Sequence, residues 1–147
     1  MIAKDTNHMG KVTTTITISN REDQILAKRG IISEKEVRCI TIDDVLVDTG
    51  ATTLCLPPKI IAQLGLELSR EVSVATATGV AKARIFDDAR ILIGEREGTF
   101  ECLELPGGAE PLIGVIPLEA LGLEPDLKNQ KLKVLPSDTA ETYLTIL

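Results

Sequence analysis

Short apolar runs with a period of two, each broken by Gly, Pro, Asn or Asp, constrain this chain more than any other feature. Thr alternates with Ile and Val from Val12 to Ile18, and Ser19-Asn20 supplies a turn after it. A period of two sends alternate side chains to opposite faces, so the run predicts a half-buried strand. β-Branched residues dominate again from Val37 to Val47, with Asp43-Asp44 as a turn or bulge. Glu71 to Thr76 alternates, Ala77-Thr78-Gly79 is small and flexible, and Val80 to Ile93 returns as a long β-type segment. That order predicts a hairpin with a glycine at its tip. Further strands are expected at Thr99 to Leu105, Leu112-Ile113, Lys131 to Leu135 and Thr142 to Leu147, with Pro106-Gly107-Gly108 as a turn.

Helical signals are few. Pro57-Pro58 can open a helix, Ile60, Ile61 and Leu64 follow at helical spacing, and Gly65 stops it. Pro117 to Leu121, closed by Gly122, reads as one helical turn, while Arg21 to Glu36 fits either a loop or a single turn. With no repeat at solenoid spacing, the expectation is an all-β, closed barrel-like domain with one or two short helices. Residues 1–10 are expected to be a flexible segment and residues 11–147 a single domain.

Composition narrows the function. The chain of 147 residues carries a net charge of −6, one Tyr, two Phe and no Trp. It offers neither a basic block for phosphates nor aromatic platforms for bases, so a nucleic-acid partner is not expected. The polar start, Met1 to Gly10, has no apolar signal core, and the longest nearly apolar run, Pro111 to Leu118, is too short to span a bilayer. No membrane partner is expected, and the location is read as cytoplasmic. Cys39, Cys55 and Cys102 are scattered, which points to buried free thiols instead of a disulfide framework or a zinc knuckle.

The chemistry centres on Val45-Leu46-Val47-Asp48-Thr49-Gly50-Ala51. A carboxylate at the end of an apolar strand must be satisfied or protonated, so its presence there calls for a reason. Asp-Thr-Gly alone would arise by chance in about one chain in ten of this size. The apolar approach, the small Ala51 and the later triplet Leu112-Ile113-Gly114 make a coincidental turn-capping Asp a poorer account.

Taken together, these parts resemble the retropepsin-like aspartic proteases, and most closely the small bacterial ones, over roughly residues 11–135. The matching order is strand, Asp48 to Ala51, Leu54 to Pro57 leading into a helix, the hairpin tip Thr76 to Gly79, Leu112 to Gly114, and Leu118 to Leu123. The resemblance implies that Asp48 is the catalytic carboxylate and that Thr49 braces two active-site loops across a dimer. Gly50, which lets the backbone approach the carboxylate closely, completes the expected catalytic set, and Ala51 is expected to bind substrate together with the flap. Thr76, Ala77, Thr78 and Gly79 would form the flap over substrate, and Leu112, Ile113 and Gly114 would pack beside the catalytic loop. A pair of carboxylates sharing one proton can activate a water without a metal, a cofactor or a covalent intermediate. The chain holds one Asp-Thr-Gly, so the second acid would come from another copy on a two-fold axis. The expected partners are thus a second copy of the chain and a peptide or protein substrate.

Retroviral members carry an Asp soon after the Asp-Thr-Gly-Ala run and an Arg after the apolar-apolar-Gly triplet; Thr53, Val115 and their neighbours supply neither. This departure leaves room for a rival from another class, a dimerisation or peptide-binding module that keeps the fold without cleaving. Other hydrolase chemistries fit less well. The sole histidine, His8, sits in the polar start, and neither a metal-ligand set nor a phosphate-binding loop can be read.

Overall fold

The computed structural model describes residues 11–135. The expected flexible segment 1–10 and the strand expected at Thr142 to Leu147 lie outside these residues.

Among the described residues, nine strands and three α-helices follow one another. They are β1 (Thr13–Asn20), α1 (Arg21–Lys28), a 3-10 turn (Glu34–Glu36), β2 (Cys39–Val47), β3 (Leu54–Leu56), α2 (Pro58–Leu64), β4 (Leu68–Thr76), β5 (Gly79–Ile93), β6 (Arg96–Glu104), β7 (Leu112–Ile113), α3 (Val115–Leu121), β8 (Leu123–Asp126) and β9 (Lys131–Val134). Seven strands form one sheet in the order β1-β2-β7-β3-β6-β5-β4, and β5 also pairs with β1. That extra pairing closes six strands into a ring and leaves β4 outside it as the free arm of a hairpin. Closure gives the ring strands partners on both sides, so fewer backbone groups are left to solvent. β8 and β9 make a separate antiparallel pair.

Alternation fills the ring. On β1 the more exposed Thr15 and Thr17 alternate with Ile16 and Ile18, which are fully buried. They meet Val45, Leu54, Leu56, Ile91 and Ile113 from the other ring strands. Two bulges bend the ring, each at an Asp-Asp pair. Asp43 and Asp44 oppose Thr15 alone, and Asp87 and Asp88 oppose Glu101 alone. The second Asp of each pair takes a left-handed backbone (φ 57° and 63°), which Asp tolerates better than most residues. The Thr15 hydroxyl donates to Asp43 Oδ1 at 3.0 Å.

The structure corrects the sequence reading in four places. There are three α-helices, not one or two. The stretch Arg21 to Glu36 holds a two-turn helix where a loop or a single turn was expected. β3 and β8 were not anticipated, because each is short and abuts a helix signal. Cys39 is exposed, whereas Cys55 and Cys102 are buried.

Helix α1 escapes periodicity because capping and an ion pair hold it more than an apolar stripe. Asn20 Oδ1 accepts from the Asp23 amide (3.0 Å), and acidic Glu22 and Asp23 sit in the first turn, where the helix dipole favours them. The amide nitrogen of buried Asn20 also donates to the carbonyls of Leu64 (2.8 Å) and Gly65 (3.2 Å), tying α1 to the end of α2. Asn20→Ala should therefore cost about 2–3 kcal/mol, a cap plus bonds to otherwise orphaned carbonyls, read as a lower urea midpoint.

Buried Asp23 accepts from the Arg38 backbone amide (3.0 Å), Nε (2.8 Å) and Nη2 (2.9 Å). The Arg38 side-chain hydrogen bonds hold its carboxyl below the usual range, against the opposing effect of burial. A depressed folded-state pKa contributes stability that is present above the unfolded value, about 3.9, and is lost as pH falls through the folded one. Urea midpoints of wild type and Asp23→Asn should therefore differ at neutral pH and converge as pH drops below about 4.

Candidate active site

β7 lies between the two strands that flank the Asp48 loop. It runs parallel to β2 (Leu46↔Leu112, Val47↔Ile113) and antiparallel to β3 (Leu54↔Ile113, Cys55↔Leu112). The chain that leaves β2 at Asp48 and returns at Leu54 must therefore loop over the end of β7. Hydrogen bonds fix it there. The Asp48 amide donates to Ile113 O (3.0 Å), Gly114 to Thr53 O (2.9 Å), Val115 to Ala51 O (2.9 Å) and Ile116 to Thr52 O (2.9 Å).

Gly114 makes this packing possible. A Cβ placed on it would lie 2.5 Å from Ala51 O and 2.7 Å from the carbonyl carbons of Ala51 and Thr52. Close backbone approach, with no special dihedral, is what requires glycine at this buried position.

Within the loop, the Ala51 amide donates to Asp48 O (3.0 Å) and the Gly50 amide to Asp48 Oδ1 (2.9 Å). The carboxylate is thus aimed by its own turn, and a Cβ on Gly50 would crowd Oδ1 at 3.2 Å. Asp48 is half-buried, while Thr49 and Gly50 are exposed. Just beyond, the Thr53 hydroxyl donates to Glu101 O (2.9 Å), anchoring the loop to β6. Burial first, and then the charge of Asp48, push the Cys55 thiol up to about 11, so it stays protonated and is no nucleophile.

The expected flap is the β4–β5 hairpin. Thr76 pairs with Gly79, and Ala77-Thr78 form the two-residue turn. The Thr76 hydroxyl donates to Gly79 O (2.8 Å) and accepts from the Thr78 amide (3.3 Å), and Gly79 takes φ 130°. All four residues are exposed. Asp48 to Ala51 and Leu112 to Gly114 are thus brought together by direct bonds. No hydrogen bond among the described residues joins the hairpin tip to them.

What links the hairpin to the loop is a cavity of about 450 Å³. Thr52 and Thr53 form one wall, Val72 and Val74 of β4 another, and Leu103 and Ile116 complete it among other residues. A second cavity of about 460 Å³ continues along the hairpin between Val74, Ala81 and Ala83 on one side and Leu103 to Pro106 on the other. The sequence reading missed Thr53, Val72 and Val74 as site residues. The alternation of Val72 and Val74 marked only a strand, and only the fold shows that they line one cavity with Thr53 of the loop.

No helix among the described residues is long and apolar enough to cross a membrane. A comparison with curated proteins finds no match. The family described as "gag-polyprotein putative aspartyl protease" matches residues 32–120, from the 3-10 turn through the Asp48 loop, the hairpin and nearly all of α3. That span covers more than half of the chain and takes in every ring strand but β1, the loop over β7 and the glycine that seats it; the chain belongs to this retropepsin-like aspartyl protease family.

Proposed function

We propose that the chain is an aspartic endopeptidase in which Asp48 of one copy and Asp48 of a second copy hold one water between them on a two-fold axis. The observation that carries this reading is the mounting of Asp48. The acid sits half-buried on a loop clamped over β7, one oxygen held by the Gly50 amide and the loop flanked by an apolar cavity.

One carboxylate of the pair acts as general base on the water. The other, protonated, donates to the scissile carbonyl, and the shared proton spares two close acids from both being charged. Exposed Thr49 stands beside the acid, where it would reach the partner's loop. An extended peptide would lie along the β4–β5 hairpin, its alternate side chains entering the two cavities and its backbone bonding as an added strand. The tip Thr76 to Gly79 would close over it, Gly79 supplying a conformation that side chains resist.

The test is the rate of peptide-library cleavage against protein concentration. An enzyme assembled from two copies shows specific activity rising with concentration until the dimer saturates. Specific activity independent of concentration down to the nanomolar range, with a monomeric sedimentation coefficient, would defeat the reading. Peptide binding without any cleavage would favour the non-catalytic module instead.

A further inference from the structure

The cavity beside the Asp48 loop has an apolar body and a charged end. Arg70, Val72 and Val74 alternate onto one face of β4, and Glu101 and Leu103 share a face of β6. All five line the cavity. β4 and β6 are not neighbours in the sheet, because β5 lies between them. Even so, the Arg70 guanidinium spans the gap and grips Glu101 with two bonds, Nη1 to Oε2 and Nη2 to Oε1, the latter at 3.1 Å. The pair is a strap from β4, outside the ring, to the ring wall. Its ring-side anchor is the strand position that Thr53 of the active-site loop holds through Glu101 O.

We propose that the Arg70–Glu101 pair determines side-chain specificity in this cavity, a step that rests on the peptide-cleaving site at Asp48. While paired, the two charges cancel and close the cavity's end, so an uncharged apolar side chain fits best. Uncoupled, whichever charge remains recruits a substrate side chain of opposite sign. Both partners are about half exposed (50% and 47%), so their mutual attraction contributes little to folding. Their placement on a cavity wall makes them matter for recognition instead. Asp87 also lies within electrostatic reach of Arg70 and will temper its charge when Glu101 is neutralised.

The experiment is a decapeptide library varied at one position at a time, cleaved by wild type, Arg70→Gln, Glu101→Gln and the double variant. Wild type should prefer Val or Leu over both Lys and Glu at one position. There, Arg70→Gln should raise Lys relative to Glu by about fivefold, and Glu101→Gln should do the reverse, somewhat less because of Asp87. The double variant should lose the charge preference and admit larger apolar residues. Two single variants that shift the profile in the same direction, or lower all rates without changing it, overturn the proposal. The same library, read as binding to Asp48→Asn versions of each protein, separates the two claims. Reciprocal charge preference in binding with no cleavage by any protein retains the specificity pair and rejects the protease. Cleavage without reciprocal preference does the opposite.

Discussion

Asp48→Asn should lower kcat/KM for any cleaved peptide by about 10³-fold or more while leaving the protein folded. The substitution removes the ionisable group and nothing else of consequence. The Asn carbonyl oxygen can still accept from the Gly50 amide as Asp48 Oδ1 does, and the loop keeps its bonds to Ile113, Gly114, Val115 and Ile116. Loss of a general acid or base costs about 10²–10⁴ in rate, and a shared dyad loses both roles together. Thermal unfolding should stay within a few degrees of wild type, so inactivity would report chemistry rather than collapse. Cleavage persisting within tenfold of wild type would remove Asp48 from the mechanism.

Gly114→Ala should damage both stability and activity, because the added methyl group meets backbone. The new Cβ would collide with Ala51 O at 2.5 Å and with two carbonyl carbons at 2.7 Å, all of them backbone of the Asp48 loop. Neither partner can rotate aside. Overpacking of this kind costs about 2–4 kcal/mol, and for a domain of this size that lowers Tm by about 10 °C. The loop that yields is the one carrying Asp48, and a displacement of about 1 Å at a reacting group can cost about 100-fold in rate. Gly107→Ala is the control, since nothing lies within 4 Å of its added Cβ. It should leave both Tm and activity near wild type. A Gly114→Ala protein as stable and active as that control would mean that the loop does not sit on β7 as described.

Ring strands were legible from the sequence where alternation was strict, as in β1, and helices where a proline or glycine marked an end, as at Pro58, Gly65 and Gly122. The Asp43-Asp44 bulge was also legible, because two adjacent acids in a β-branched run fit a ladder poorly. Its counterpart at Asp87-Asp88 went unread inside a long β-type segment. Helix α1 was hidden because its stability comes from Asn20 and from Arg38, a residue 15 positions beyond Asp23, and not from an apolar period. β3 was hidden because three residues carry no period at all.

At the site, the Asp48 loop and the Leu112-Ile113-Gly114 triplet could be named from residue types, but not the reason they belong together. That reason is the insertion of β7 between β2 and β3, a long-range pairing invisible to any local pattern. Arg70 and Glu101 were not singled out in the sequence for the same reason: 31 positions separate them in the chain, and only the fold lays them across one cavity.

The central claim is that two copies of Asp48 make one site, and mixed dimers test it most directly. Wild type and Asp48→Asn protein, combined in varying ratios at fixed total concentration and allowed to exchange subunits, should show activity falling with the square of the wild-type fraction. A mixture at equal parts would then retain about one quarter of the activity, because random pairing leaves that share of dimers with both acids. Activity falling in direct proportion to the wild-type fraction would show that each copy works alone, and would contradict the shared site.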